Sequence, residues 1–185
     1  MTPEIRASLR AHLLRSGMAG DTRTTRENTV SNARKLAEGD PDKHLGIGAR
    51  GRDHAAVMKA VAKLCGCDPS CDVVTGAGVI DPDRTLDELQ KMGDRLERAA
   101  RAKEPALIVT GHPTGLLAMY MGIARAFRRA GVPILTPLDS VTLSPPRAHR
   151  RRRAVRYHDG VGTLMAGADL IHTHDAWPME ALLQE

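Results

Sequence analysis

Two short stretches hold residue types that could carry chemistry. In Gly111-His-Pro-Thr-Gly115 two glycines bracket His112, Pro113 and Thr114. An imidazole can move a proton or hold a metal, and Thr114 offers a hydroxyl. Gly111 and Gly115 let a backbone approach a ligand with no Cβ in the way. The second stretch is His172-Thr-His-Asp175. Histidines two apart share a face if they lie on a strand, and Asp175 follows at that strand's end. Such a set could bind a metal or protonate a leaving group. A tight turn with an incidental His112, and a pair of surface histidines, are the plainer alternatives.

The elements around these residues must position them. Ala106 to Val109 is a short apolar run behind a proline, which reads as a buried strand. Leu117, Met121, Ala124 and Phe127 then recur at helical spacing, Gly131 closes the helix, and Val132-Pro-Ile-Leu-Thr136 begins a second apolar run. This order is one βαβ unit of the parallel kind. A helix starting at the carboxyl end of a parallel strand aims free N–H groups and its positive dipole end at one spot, where anions bind. The glycine spacing matches neither the P-loop nor the dinucleotide fingerprint. Leu138-Asp-Ser140 falls at the sheet's carboxyl edge, so Asp139 is a ligand-site candidate or a turn cap. Val155 to Leu164 reads as one strand of a C-terminal hairpin and Asp169 to His174 as its partner, with a helix opening at Trp177-Pro178.

The first hundred residues read as helical hairpins. Thr2 and Pro3 suit a cap and first turn, followed by the stripe Ile5, Leu9, Leu13 and Leu14. Thr24-Thr-Arg-Glu27 and Thr85-Leu-Asp-Glu88 are capping-box patterns opening two further helices. Arg26, Glu27 and Asn28 either cap the first of these or face a ligand. Gly51 to Leu64 is another helix, and Lys43-His-Leu-Gly-Ile-Gly48 is a loop that could form a lid. The expected fold class is therefore α/β: a helical region over 1–104, then over 105–185 a small Rossmann-like, largely parallel sheet, the two packing into one compact domain.

Composition excludes several classes. The 185 residues are 42% apolar with one Trp, one Phe and two Tyr, so aromatic stacking on single strands is disfavoured. Much of the +5 charge sits between Arg147 and Arg156, so nucleic-acid binding is a weak inference. The charged loop Ser144 to Arg153 is a solvated segment, or its arginines close over a phosphate. Cys65, Cys67 and Cys71 lack a fourth partner and the usual zinc spacing, and read as reduced cytosolic thiols. The N-terminus does not read as a signal peptide and no apolar run is long enough to span a bilayer, which leads to the expectation of a cytoplasmic protein. An open sheet edge could be covered in a homodimer.

Thr24-Thr-Arg-Glu-Asn28, Gly111-His-Pro-Thr-Gly-Leu-Leu117 and His172-Thr-His-Asp-Ala-Trp-Pro-Met179 occur in this order. The pattern resembles a group of actinobacterial proteins labelled "phosphatase", over the whole chain; members typically continue with further strands and an Asp-His-Gly motif. The resemblance implies a phosphoester substrate and hydrolysis. The expected catalytic residues are then His112, His172, His174 and Asp175. The substrate-binding set is Gly111, Pro113, Thr114, Gly115, Arg26, Asn28 and Asp139. A divalent metal, Mg, Mn or Zn, is the candidate cofactor. No aspartyl-nucleophile or cysteine-arginine signature is present, so activated water is the expected attacker on a small phosphorylated molecule. The alternative is a module that captures phosphate or another anion without chemistry.

Overall fold

The computed structural model describes residues 1–44, 51–144 and 152–185. All but the first two residues of the lid reading over Lys43 to Gly48, and most of the Ser144 to Arg153 loop, fall outside the described residues. The chain divides into two compact units, Met1–Arg95 and Leu96–Glu185.

The first unit opens with α1 (Pro3–Ser16). Thr2 Oγ1 accepts from the Ile5 amide at 3.4 Å, and Gly17 ends the helix in the left-handed region at φ 68°. Of the expected stripe only Leu13 is buried; Ile5, Leu9 and Leu14 are exposed. Strands β1 (Gly20–Thr25) and β2 (Ala77–Ile80) then pair antiparallel. This small sheet corrects the expectation of helices alone. Gly-Asp-Thr-Arg-Thr-Thr has β-branched residues that suit a pleat, yet no apolar alternation to betray it.

Thr24 lies within β1, with its hydroxyl 2.8 Å from that of Thr22, and the strand's last residue, Thr25, is the cap of α2 (Arg26–Glu38). Its Oγ1 accepts from the Asn28 amide at 3.1 Å. The box moves by one residue, and Glu27 is no longer the reciprocal partner. Helix α3 (Pro41–His44) is short, and α4 (His54–Cys65) is capped by Asp53. Helix α5 (Pro82–Ala102) starts three residues before the expected box. Asp81 accepts from the amides of Asp83 (2.8 Å) and Arg84 (3.2 Å), and Pro82 supplies the preset first turn. Val30, Ala33 and Ala37 of α2 pack with Val57 and Met58 of α4, and Leu13, Ala19 and Leu86 form a second cluster.

The second unit contains β3 (Ile108–Val109), α6 (Pro113–Arg129), β4 (Thr142–Leu143), β5 (Arg153–His158), β6 (Val161–Ala166), β7 (Asp169–Leu170) and α7 (Trp177–Leu183). Its sheet runs β3-β6-β5-β4, with β7 also on β6. The βαβ unit is present: Ala106 bridges Ile134 in parallel, with amides donated from Ala106 to the Pro133 carbonyl and from Leu135 to the Ala106 carbonyl, each at 2.9 Å. Strand β3 is also parallel to β6. The pairs β4–β5, β5–β6 and β6–β7 are all antiparallel, so the sheet is mixed and not largely parallel.

The C-terminal hairpin is likewise corrected. Val155 to Leu164 is two strands, folded at Asp159 (φ 50°) and Gly160 (φ 86°). Two central residues at positive φ make the type I′ turn that Asp-Gly favours. Strand β7 pairs for two residues only, so His172 and His174 follow the sheet and do not lie within it. Ala99, Phe127 and Val132 form one core cluster, and Val155, Leu164 and Leu182 another. Among the described residues no helix is long and apolar enough to cross a membrane.

Candidate functional site

Each of the two chemical stretches is held by a threonine. Thr110, buried where β3 gives way to α6, donates its amide to the Gly162 carbonyl at 3.0 Å and accepts the His112 amide on Oγ1 at 3.0 Å. His112 is the N-cap of α6 and makes no side-chain cap bond, and Pro113 follows as the first helical residue. Its imidazole is therefore left for other partners. Thr173 accepts the Asp175 amide on Oγ1 at 3.0 Å. Both are local hydroxyl-to-amide turns spanning two residues. Thr110 and Thr173 were not singled out in the sequence, although Thr-x-His and Thr-x-Asp at the two junctions is a signal of this turn.

The junctions meet through backbone. Thr173 donates its amide to the Gly111 carbonyl at 2.9 Å, and a Cβ on Gly111 would stand 2.4 Å from the Thr173 carbonyl oxygen. Gly111 is thus needed for chain against chain, and not for the approach of a ligand as its position had suggested. At Gly115 a Cβ would meet nothing among the described residues within 4 Å, so on their account that side of the turn is open.

This contact gathers three imidazoles. Nε2 of His174 lies 3.0 Å from Nε2 of His172 and 3.1 Å from Nε2 of His112. The ring centroids are 4.2 Å apart for His112–His172, 5.0 Å for His112–His174 and 4.9 Å for His172–His174. One possible ligand atom from each residue falls within 4.8 Å of the other two. His112 and His172 are exposed and His174 is half-buried. Desolvation, then the neighbouring His172 and His174, hold the His112 imidazole below its usual value. That favours the neutral ring, which keeps a lone pair to offer.

A family model described as Phosphatase matches residues 4–185. The chain belongs to the Phosphatase family. It is 37% identical over 180 residues to the Streptomyces coelicolor protein named Phosphatase SCO2771. That match covers 96% of this chain and 66% of the relative, so the chain spans just under two thirds of the relative's length. No solved structure matches.

In this Phosphatase-family chain, Gly111, His112, His172, His174 and Asp175 come from the two joined junctions. Pro113 is buried, and Thr114 is exposed in the first turn of α6. Asp139 sits in a tight turn between Leu138 (φ 54°) and Ser140 (φ 68°). Burial, and then the charge of Asp139, push the Tyr157 phenol up to about 12. Arg26 and Asn28 belong to the first unit. Arg26 is buried and ties down the 70–73 segment, donating from Nε to the Val73 carbonyl at 3.0 Å and from Nη2 to that of Ser70, while its Nη1 is buried with no partner among the described residues. The Asn28 amide caps onto Thr25, and its Oδ1 accepts from Asn32 Nδ2 at 3.3 Å. Cys65, Cys67 and Cys71 are free and half-buried, and burial pushes the Cys65 thiol up.

Proposed function

We propose that the chain is a phosphoester hydrolase that attacks a small phosphorylated molecule with activated water. One observation carries the reading: three imidazoles from two separate loops meet at the start of α6, in a member of the Phosphatase family. The phosphate sits at the Gly111–Gly115 turn. There the dipole of α6 is positive, the Thr114 amide has no helical acceptor, and the open side of Gly115 leaves room. The Thr114 hydroxyl adds a further bond to the phosphate.

The histidines activate the attacking water. Its oxygen bonds to phosphorus as the bond from phosphorus to the ester oxygen breaks. Asp175 carries the released proton to the leaving oxygen, so the products are inorganic phosphate and an alcohol. Arg26, Asn28 and Asp139 join only as more distant candidates for substrate binding.

The purified chain assayed with a generic phosphoester, with and without Mg²⁺, Mn²⁺ or Zn²⁺, tests this. Turnover that His112→Ala or His172→Ala reduces at least about 100-fold is the expected result. Turnover unaffected by either substitution overturns the assignment. Thermal stabilisation by inorganic phosphate with no turnover under any condition favours the anion-binding module instead.

A further inference from the structure

We infer that His112, His172 and His174 form a three-histidine site for a divalent transition metal of the zinc class, bound through their Nε2 atoms and open on the remaining side. This deepens the hydrolase reading by naming what activates the water, but it rests on the arrangement of the rings alone. The first support is hydrogen-bond arithmetic. Nε2 of His174 makes both short contacts, at 3.0 and 3.1 Å. A ring nitrogen carries either a proton or a lone pair, never both. If it carries the proton, it cannot give a full hydrogen bond to two rings. If it carries the lone pair, two N–H groups compete for it. The three rings therefore do not satisfy one another well as a hydrogen-bonded set. A cation that accepts all three lone pairs, with each ring's proton on Nδ1, removes the conflict.

Distance is the second support. Zinc binds histidine nitrogen at about 2.0–2.1 Å, which places two such nitrogens roughly 3.3 Å apart around a tetrahedral ion. The two short contacts are already close to that spacing, and the three candidate ligand atoms all lie within 4.8 Å of one another, a spread the rings must narrow to about 4 Å or less to share one ion. The third support is donor chemistry. Imidazole nitrogen suits Zn, Co, Ni and Cu, whereas Mg²⁺ seeks oxygen. Among the described residues this is the group whose ligand atoms converge, and the cysteines form no such group. Three protein ligands with an open position is the pattern of a catalytic zinc site, as opposed to a closed structural one. When bound, such an ion lowers the pKa of a coordinated water to about 7. The ligands come from two loops that are joined by the Gly111–Thr173 backbone bond, which holds the three rings near one another.

Equilibrium dialysis of the full chain against Zn²⁺, read by elemental analysis, tests the site directly. One zinc per chain, not displaced by excess Mg²⁺, is expected. Each of His112→Ala, His172→Ala and His174→Ala should weaken binding more than about 100-fold, at or beyond the usual cost of losing a supporting group. X-ray absorption of the zinc-loaded wild type needs no variant to fold; a first shell with three imidazoles supports the site. No stoichiometric zinc, a sulfur shell from the cysteines, or fewer than three imidazoles overturns it. Zinc held as described without phosphoester turnover would remove the hydrolase reading and leave the site. Turnover by zinc-free protein, unchanged by chelation, would remove the ion's role in activating the water and leave the hydrolase reading.

Discussion

Gly111 and Thr173 lie backbone to backbone: the Thr173 amide meets the Gly111 carbonyl at 2.9 Å, and the space where a Gly111 Cβ would stand is taken by the Thr173 carbonyl oxygen, 2.4 Å away. The three histidines converge because these two residues touch. Gly111→Ala forces backbone apart, since no flexible side chain can yield. We expect it to cost about 1–3 kcal/mol of stability, as overpacking does. We also expect at least about a 100-fold loss of turnover, as a shift of about 1 Å at a site can cause. Denaturant unfolding and phosphoester kinetics on the same preparation check both, and full activity in this variant would refute the linkage.

Gly115→Ala separates helix formation from ligand approach. Space is open there, and alanine favours the helix by about 0.5–1 kcal/mol over glycine. The variant should therefore melt higher than the wild type. If phosphate sits at this turn, the added methyl should raise KM as stability rises. A raised melting temperature with unchanged KM would place the phosphate elsewhere.

Thr110→Val keeps the shape of a buried side chain and removes the acceptor of the His112 amide. The lost hydrogen bond should cost about 1 kcal/mol. Activity should fall more than that stability change explains, because His112 loses its backbone anchor. Unfolding curves set beside kcat measure the difference; a fall in stability with intact kcat would make Thr110 merely structural.

Asp159 predicts an acid-sensitive hairpin. Bonds from Arg128 and Arg125 hold its carboxyl below the usual value. Because its folded pKa is depressed, its contribution is present above the unfolded value of about 3.9 and is lost as pH falls through the folded value. Asp159→Asn tolerates positive φ and keeps the turn but not the charge. Its stability should vary less with pH than the wild type below about pH 4. Thermal melts from neutral pH downward check this, and identical slopes would dismiss the ion pairs.

Tyr157 predicts the opposite limb. Its hydroxyl donates to the Pro137 carbonyl at 3.0 Å, and its pKa is raised to about 12, by burial first and Asp139 second. A raised folded pKa means the contribution is whole below the unfolded value of about 10 and fades as pH climbs toward the folded one. Ultraviolet titration of the phenol should show one tyrosine ionising late, and Tyr157→Phe should abolish that step. Two tyrosines titrating together near 10 would contradict it.

Local signals in the chain were sufficient for the βαβ unit, the cap at Thr2-Pro3 and the chemical candidates, because helical period, capping and residue type act over a few neighbours. His112, His172 and His174 could be singled out by type alone. Strands β1 and β2 could not, because a threonine-rich polar strand has no apolar alternation to reveal it. Asp159-Gly160 did carry a hairpin signal, but the apolar residues on either side read as one continuous strand.

Strand direction, the purpose of Gly111 and the meeting of the histidines were decided by tertiary structure. His112 and His174 are 62 positions apart. What brings them together is β3 lying parallel to β6, followed by one amide-to-carbonyl bond between loops. Sequence alone determined which side chains could bind a metal or move a proton. Their convergence depends on backbone packing between distant segments, which no neighbouring residue encodes.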